Sequence, residues 1–389
     1  MKASAQVSQR AKDIAPFHVM DILARARLLE SQGHDVIHME IGEPDFVTPG
    51  PIVSAGIKAL KAGHTHYTPA MGLPLLREKI ASHYRDAYQT EVSPDQVVIT
   101  PGSSGALQLV LAVAVNPGQK VLMADPGYPC NRHILRLLDG QAVMIPVGAE
   151  TQYQLTPELI RRYWDDKTIA VLVASPSNPT GTMLDIEAMR SVVDTVRGCG
   201  GRLIVDEIYH GLVYEAATNT VLKVSPDVFV VNSFSKYYGM TGWRLGWLVA
   251  PASYVSAIDR IAQNLFLAAS TPAQYAALAA FDVDTRAILL ERRDVFRKRR
   301  DYLLPALRDL GFDVPVQPPG AFYIYANSSA LSNDSFQLCM RLLDEAHVAI
   351  TPGIDFGHNH AGQHVRFAYT TSIDKLKIGI DRLHKFLSR

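Results

Sequence analysis

A chain of 389 residues, 48% apolar and 20% charged, exceeds the usual limit for one hydrophobic core and has the composition of a folded globular protein. Its 38 lysines and arginines balance 38 aspartates and glutamates, so no overall field draws it to nucleic acid or acidic membranes. The three cysteines, Cys130, Cys199 and Cys339, are odd in number and far apart, which fits neither a disulfide framework nor a metal site.

The N-terminal stretch MKASAQVSQRAKDIAPF lacks the apolar core of a signal peptide. The run ALQLVLAVAV is too short to span a bilayer and ends at NPG. With thiols suited to a reducing compartment, a cytoplasmic protein is expected.

Between about residues 95 and 250, short β-rich runs alternate with longer helical patterns. VVIT, KVLMAD, QAVMIPV, IAVLVAS, RLIVDE, DVFVVNS and RLGWLVA read as strands, near-continuously apolar as in a sheet covered on both faces. In LDIEAMRSVVDTVRGCGG, Asp185 is placed to cap a helix that the glycines end. The pattern predicts an α/β fold with a mostly parallel central sheet, whose ligands bind beyond the carboxyl ends of the strands. PGSSG, PGYP, SPSNPTG, DEIYHG and SFSK each follow a strand at such an end.

After residue 250 the pattern changes. DTRAILLERRDVFRKRRDYLLPALRDLGF predicts a long charged helix broken near Pro305. GAFYIYA and HVRFAYT then read as strands of a smaller α+β domain, closed by the helix SIDKLKIGIDRLHKFLSR. The expected division is a large domain at 46–290, with 1–45 and 291–389 forming the small one.

Several of these segments carry chemistry. In TPGSSGALQLVLAV a strand leads through a glycine-serine turn into a helix, so free N–H groups and the positive helix end offer a phosphate seat; an ordinary cap reads equally well. No Walker lysine and no G-x-G-x-x-G accompany it, which argues against ATP or a nicotinamide cofactor. Asp206 in VDEIYHG ends a buried strand, where a carboxylate needs a partner, unless it simply caps a helix. SPSNPTG is equally compatible with a plain turn. In NSFSKYYGMTGWRLGW, Ser233, Ser235 and Lys236 reach the same sheet edge, with Arg244 close behind. Arginine matches phosphate oxygens in a bidentate way, so this convergence favours an anion site over solvated surface charges.

In chain order, IGEPDF, YTPAMGLPLLREKI, PGSSGAL, DPGYP, SNPTG, VDEIY, SFSKYYGMTGWRLG, GAFY and VRFAYT resemble the pyridoxal-phosphate-dependent aminotransferases of fold type I, in the class I/II group that includes aspartate aminotransferase. The resemblance covers nearly the whole chain. It implies that Lys236 forms a Schiff base with pyridoxal phosphate and later acts as a general base. It implies that Asp206 faces the pyridine nitrogen, that Tyr209 and Asn178 hydrogen-bond the ring oxygen, and that Tyr128 stacks on the ring. Ser103, Ser104, Ser233, Ser235 and Arg244 are then the phosphate ligands. Arg366 takes the substrate α-carboxylate, with Asn178 and the Gly42 backbone close by. Tyr67 matches a tyrosine that reaches the phosphate of a neighbouring subunit, so a homodimer with shared sites is expected.

Aspartate aminotransferase proper uses a second arginine for the side-chain carboxylate, and the matching region QNLFLAASTP holds no arginine or lysine. An uncharged or aromatic amino donor is therefore expected, with 2-oxoglutarate or pyruvate as acceptor. Two other readings stand beside this one: a C–S or β-elimination lyase of the same fold, and a non-catalytic binding module. Against the module speaks the lack of a basic recognition helix in the roughly 45 residues before the cofactor domain.

Overall fold

The computed structural model describes residues 7–215 and 217–388; the first six residues of the stretch without a signal core lie outside that range. Seven strands, β1 (Val97–Thr100), β2 (Lys120–Asp125), β3 (Gln141–Pro146), β4 (Thr168–Ala174), β5 (Arg202–Asp206), β6 (Phe229–Ser233) and β7 (Gly246–Val249), form one sheet in the order 1-7-6-5-4-2-3. All seven coincide with the apolar runs read from the sequence. Strand β7 is antiparallel to both its neighbours, while the pairs among β2 to β6 are parallel.

The strands lack polar alternation because both faces are covered. Leu203 and Val205 of β5 enter one core with Ile80, Tyr84 and Val192, whereas Ile204 between them enters another with Leu107, Val110 and Ile258. Asp185 caps the helix Ile186–Gly198 by accepting the Ala188 N–H at 2.8 Å, a contact worth about 1 kcal/mol.

Five helices frame or brace the sheet edge: α1 (His18–Ser31), α2 (Gly102–Ala114), α3 (Pro129–Leu137), α4 (Val283–Asp309) and α5 (Ile373–Leu387). Three short antiparallel strands, β8 (Tyr323–Asn327), β9 (Thr351–Pro352) and β10 (His364–Ala368), form a second sheet in the order 9-10-8. A third core joins this sheet to α1, α4 and α5 through Ile22, Ala26, Phe296, Leu303, Phe322, Phe367 and Leu383. Helix α4 joins two cores, with Leu289 in the first and Phe296, Leu303 and Leu307 in the third.

The break expected near Pro305 does not occur, and α4 runs through it. Proline removes the hydrogen bond to the carbonyl of Asp301, and that position is exposed, so water meets the freed oxygen. Leu303, Leu304 and Leu307 are buried on the opposite face and hold the turn in place. No helix among the described residues is long and apolar enough to cross a membrane.

Candidate active site

Parallel strands present their carboxyl ends on one edge, so Ala174 of β4, Asp206 of β5 and the segment after Ser233 of β6 gather there. A cavity of about 330 Å³ opens among them, between the two sheets. Ser103, Ser104, Ser235 and Arg244 line it beside the N-terminus of α2. The lining also includes Gly42, Tyr128, Asn178, Asp206, Tyr209, Lys236 and Arg366.

The serine end has the character of an anion seat. Gly102 opens α2 with φ +71°, and a Cβ there would lie 2.6 Å from Arg244 Nη2. At Gly246 a Cβ would lie 2.8 Å from the Ser103 nitrogen, so the two glycines let three backbone segments converge. Arg244 donates to the Thr241 carbonyl at 3.0 Å and meets no carboxylate within 4.0 Å among the described residues. Helix N–H groups, hydroxyls and an arginine without a counter-charge fit a phosphate.

Ser233 differs from the expected phosphate ligands in its placement. It is buried behind the cavity wall, donating its one O–H to the Leu245 carbonyl at 3.1 Å, with the Ser235 hydroxyl 2.9 Å from its Oγ. Its Oγ also accepts the Ser235 N–H at 3.0 Å, so it holds Ser235 in place rather than facing the cavity. The last residue of a strand alternates its side chain with the strand, and here that direction is inward. Tyr67 also lies away from this cavity, 82% exposed.

Lys236 Nζ donates to the Gly42 carbonyl at 2.6 Å. Burial, helped by the nearby Arg366 and Arg244 charges, lowers its pKa to about 8 against the pull of Glu43 and Asp206. Burial raises Asp206 to about 6, opposed by the Ile208 N–H at 3.1 Å and by the Lys236 charge. The cavity thus sets an amine that readily loses its proton close to a carboxylate that lacks a fixed cationic partner. An aldehyde-bearing, protonated pyridine with a phosphate arm matches these three features.

Arg366, on β10, is buried and directed inward by its neighbours. It donates to Asn178 Oδ1 at 2.9 Å, to the Glu40 carbonyl at 2.5 Å and to Thr351 Oγ1 at 3.1 Å, while Nε has no partner. Its guanidinium lies 4.3 Å from the Tyr323 ring centroid and 4.9 Å from that of Phe356. Such a braced, counter-ion-free fork suits a carboxylate. Tyr209 shares a 2.9 Å hydrogen bond with Tyr323, and burial raises its pKa well above the usual phenol value. At Gly42 a Cβ would meet the Tyr323 hydroxyl at 2.1 Å, which explains why glycine stands there.

The sequence reading gave no role to Tyr323, although it lies in GAFY, nor to Phe17, Val19, Met20 and Leu23. These last four, from α1 and the residue before it, supply an apolar wall to the cavity. They carry no reactive group, and their i, i+3 spacing marks only an amphipathic helix, so no sequence signal distinguishes them from core positions.

Residues 34–383 match the family model of aminotransferases of class I and II. The chain is 39% identical over 386 residues to a (5-formylfuran-3-yl)methyl phosphate transaminase from Methanocaldococcus jannaschii, covering 98% of this chain and 100% of that protein. It is 38% identical over 377 residues to a valine–pyruvate aminotransferase from Mycobacterium tuberculosis, with 96% and 97% covered. A crystal structure of an aminotransferase from Mycobacterium tuberculosis superposes with a TM-score of 0.96 at 37% identity, over 99% of this chain and 100% of that one. The ordered motifs, the sheet and the paired anion seats are those of one family, and this chain belongs to the class I and II aminotransferases, fold type I enzymes that work with pyridoxal phosphate.

Proposed function

We propose that this enzyme moves the amino group of an α-amino acid with an uncharged or aromatic side chain to a 2-oxo acid such as 2-oxoglutarate or pyruvate. One observation carries the donor class. Among the described residues, the only cations lining the cavity are Lys236, Arg244 and Arg366, each matched to a common feature of cofactor and substrate, while the outer wall of Phe17, Val19, Met20, Leu23 and Ile41 is apolar. An apolar side chain gains about 25 cal/mol per Å² buried there, whereas a carboxylate would lose its hydration without a partner. The valine–pyruvate relative supports an uncharged donor.

Bound pyridoxal phosphate supplies an electrophilic aldehyde and a ring that withdraws electrons from the substrate α-carbon. Arg366 binds the α-carboxylate, with Asn178 and Thr351 holding its fork. Lys236 would be the attachment point for the cofactor, and its free amine would take up and return the α-proton at Nζ; its lowered pKa leaves a substantial neutral fraction near pH 8. Asp206 would keep the proton on the ring nitrogen. Tyr209 and Asn178 would hold the ring oxygen, and Tyr128 would lie against the ring. Ser103, Ser104, Ser235 and Arg244 seat the phosphate, with Ser233 orienting Ser235. The small unit of residues 1–45 and 291–389 carries Arg366 and the apolar wall, so its closing on the 46–290 unit would exclude water. The setting is cytoplasmic.

Tyr67 is exposed, and in a homodimer its hydroxyl would complete the partner's phosphate seat. Sedimentation of a fully active monomer would refute this pairing. Gly102→Ala should weaken cofactor affinity by about 10- to 100-fold, since the added Cβ displaces Arg244 and left-handed backbone is strained there. Equilibrium titration of the empty protein with pyridoxal phosphate measures it.

The donor class is tested by mixing holoenzyme with valine, leucine, phenylalanine or aspartate and following the cofactor absorbance through one half-reaction. The apolar acids should convert the cofactor at higher kcat/KM than aspartate, and added 2-oxo acid should restore the starting spectrum. Preference for aspartate would overturn the donor class. Ammonia and pyruvate release without any need for a 2-oxo acid would indicate elimination instead.

A further inference from the structure

The two side chains read as holding the ring oxygen, Asn178 and Tyr209, stand in turns after β4 and β5 of the main sheet. Each is met by one side chain from the second sheet. Arg366 of β10 donates to Asn178 Oδ1, and Tyr323 of β8 shares a hydrogen bond with Tyr209 at 2.9 Å. Arg366 has its task at the α-carboxylate. Tyr323 has none, although it lines the same cavity.

Tyr323 opens β8, and its side chain is held from three sides. The Arg366 guanidinium lies 4.3 Å from its ring centroid. The Tyr209 ring stands nearly perpendicular to it, at 83°, with centroids 5.7 Å apart. At Gly42 a Cβ would lie 2.1 Å from the Tyr323 hydroxyl, so the missing side chain there leaves the space that this oxygen fills. The phenol is 1% exposed, and Tyr209 is its hydroxyl's one hydrogen-bond partner among the described residues. A phenylalanine ring would pack in the same place, so it is the oxygen that needs a purpose.

Two phenols that share one hydrogen bond have a donor and an acceptor. Burial raises the pKa of Tyr323, but the Arg366 charge against its face opposes that rise. Tyr323 is thus the more acidic partner and the donor. Each phenol has a single proton, so a Tyr209 that accepts from Tyr323 keeps its own free for an anionic oxygen in the cavity. Accepting one hydrogen bond also makes Tyr209 a stronger donor in the next.

We propose that Tyr323 is a positioning residue: its hydroxyl donates to Tyr209 and so directs the Tyr209 proton to the cofactor ring oxygen, while its ring braces Arg366. This role rests on the transaminase reading proposed above and deepens it, because one side chain then ties the α-carboxylate seat to the ring oxygen.

The test follows the visible absorbance of bound cofactor against pH, which reports the proton held next to its ring oxygen. Loss of that proton leaves the full negative charge on the oxygen, so each donor aimed there lowers the midpoint of the change. Tyr323→Phe keeps the ring and removes one oxygen. It should raise the midpoint by about 0.5 to 1 pH unit, with KM for the amino acid within about twofold of wild type. Tyr209→Phe should raise it further, and adding Tyr323→Phe to that variant should change it no more. Tyr323→Leu, which removes the ring as well, should raise KM by about 3- to 10-fold. In crystals of wild-type holoenzyme the two hydroxyls should stay within about 3.2 Å of each other, with no hydrogen bond from Tyr323 to the cofactor, a check that needs no variant.

A midpoint that moves in Tyr209→Phe but not in Tyr323→Phe removes the role of Tyr323 alone. No movement in either removes Tyr209 from the ring oxygen, and the role of Tyr323 with it. Additive shifts in the double variant, an unchanged KM in Tyr323→Leu, or a holoenzyme in which the hydroxyls part would also overturn the proposal. The absorbance titration needs no substrate, so the half-reactions with amino acids test the transaminase reading independently.

Discussion

Lys236→Met should lower kcat for amino transfer by at least about 10⁴-fold, with a full complement of folded protein. The substitution keeps a side chain of similar length and removes the one amine that meets the cavity close to Asp206. No other lysine among the described residues lines that cavity, so no neighbour can take over the α-proton. The fold should not suffer. The folded-state pKa of Lys236, about 8, lies below its ordinary value of 10.5. The group therefore contributes its full share of stability above pH 10.5, and that share is lost as pH falls through about 8. At pH 7 the empty wild-type protein carries the whole cost of a buried charged amine, and the methionine variant does not. Its melting temperature should equal or exceed that of wild type at pH 7, with the difference closing as pH approaches 10.5. Steady-state transfer assays and thermal melts of cofactor-free protein check both halves. Retention of more than a hundredth of wild-type activity would defeat the assignment of Lys236.

Asp206→Asn should cost about 10²- to 10³-fold in kcat, because an amide has the shape of the carboxylate but cannot hold a positive charge on the ring nitrogen. The asparagine oxygen can still accept the Ile208 N–H, so the local backbone has no reason to move. The pH response of the empty protein separates this from general damage. Burial raises the folded pKa of Asp206 from 3.8 to about 6, so its contribution to stability is complete below about pH 3.8 and is lost as pH rises through about 6. The asparagine variant has no such loss. Relative to wild type it should gain stability between pH 4 and pH 7, and lose the gain when the wild type is saturated with pyridoxal phosphate, whose ring supplies the missing partner. A variant with wild-type kcat, or one destabilised equally at every pH, would count against Asp206.

Taken together, the two groups place the electrostatic weakness of the empty protein between about pH 6 and 8, where Asp206 is charged and Lys236 is still protonated. Cofactor binding relieves both at once. Ligand-linked stabilisation should consequently be largest in that window.

Much of the site was legible because its chemistry sits in short turns after strands. The seven strands of the main sheet are local in origin: each is a run of apolar residues whose two faces both meet helices, as the opposite burial of Leu203 and Ile204 shows. Once the strands other than β7 run parallel, their carboxyl ends share an edge, and Ser103, Asp206 and Lys236 are brought together there. Where the reading failed, the deciding contacts were distant. Pro305 is a strong local breaker, yet burial of Leu303, Leu304 and Leu307 outweighed the lost hydrogen bond. Ser233 has the composition of a phosphate ligand, and its direction depends on the Leu245 carbonyl of the next strand region.

The class of chemistry is written in the amino-acid sequence, since a lysine, a strand-end aspartate, serines at a helix start and two arginines are reactive types that each stand in a short motif of their own. Tertiary structure alone decided what surrounds them. The wall from Phe17 to Leu23 lies about two hundred residues from Lys236 and is marked by neither residue type nor spacing. Which side chains narrow a pocket depends on how separate elements pack, and packing rests on shape complementarity between segments that no local pattern encodes.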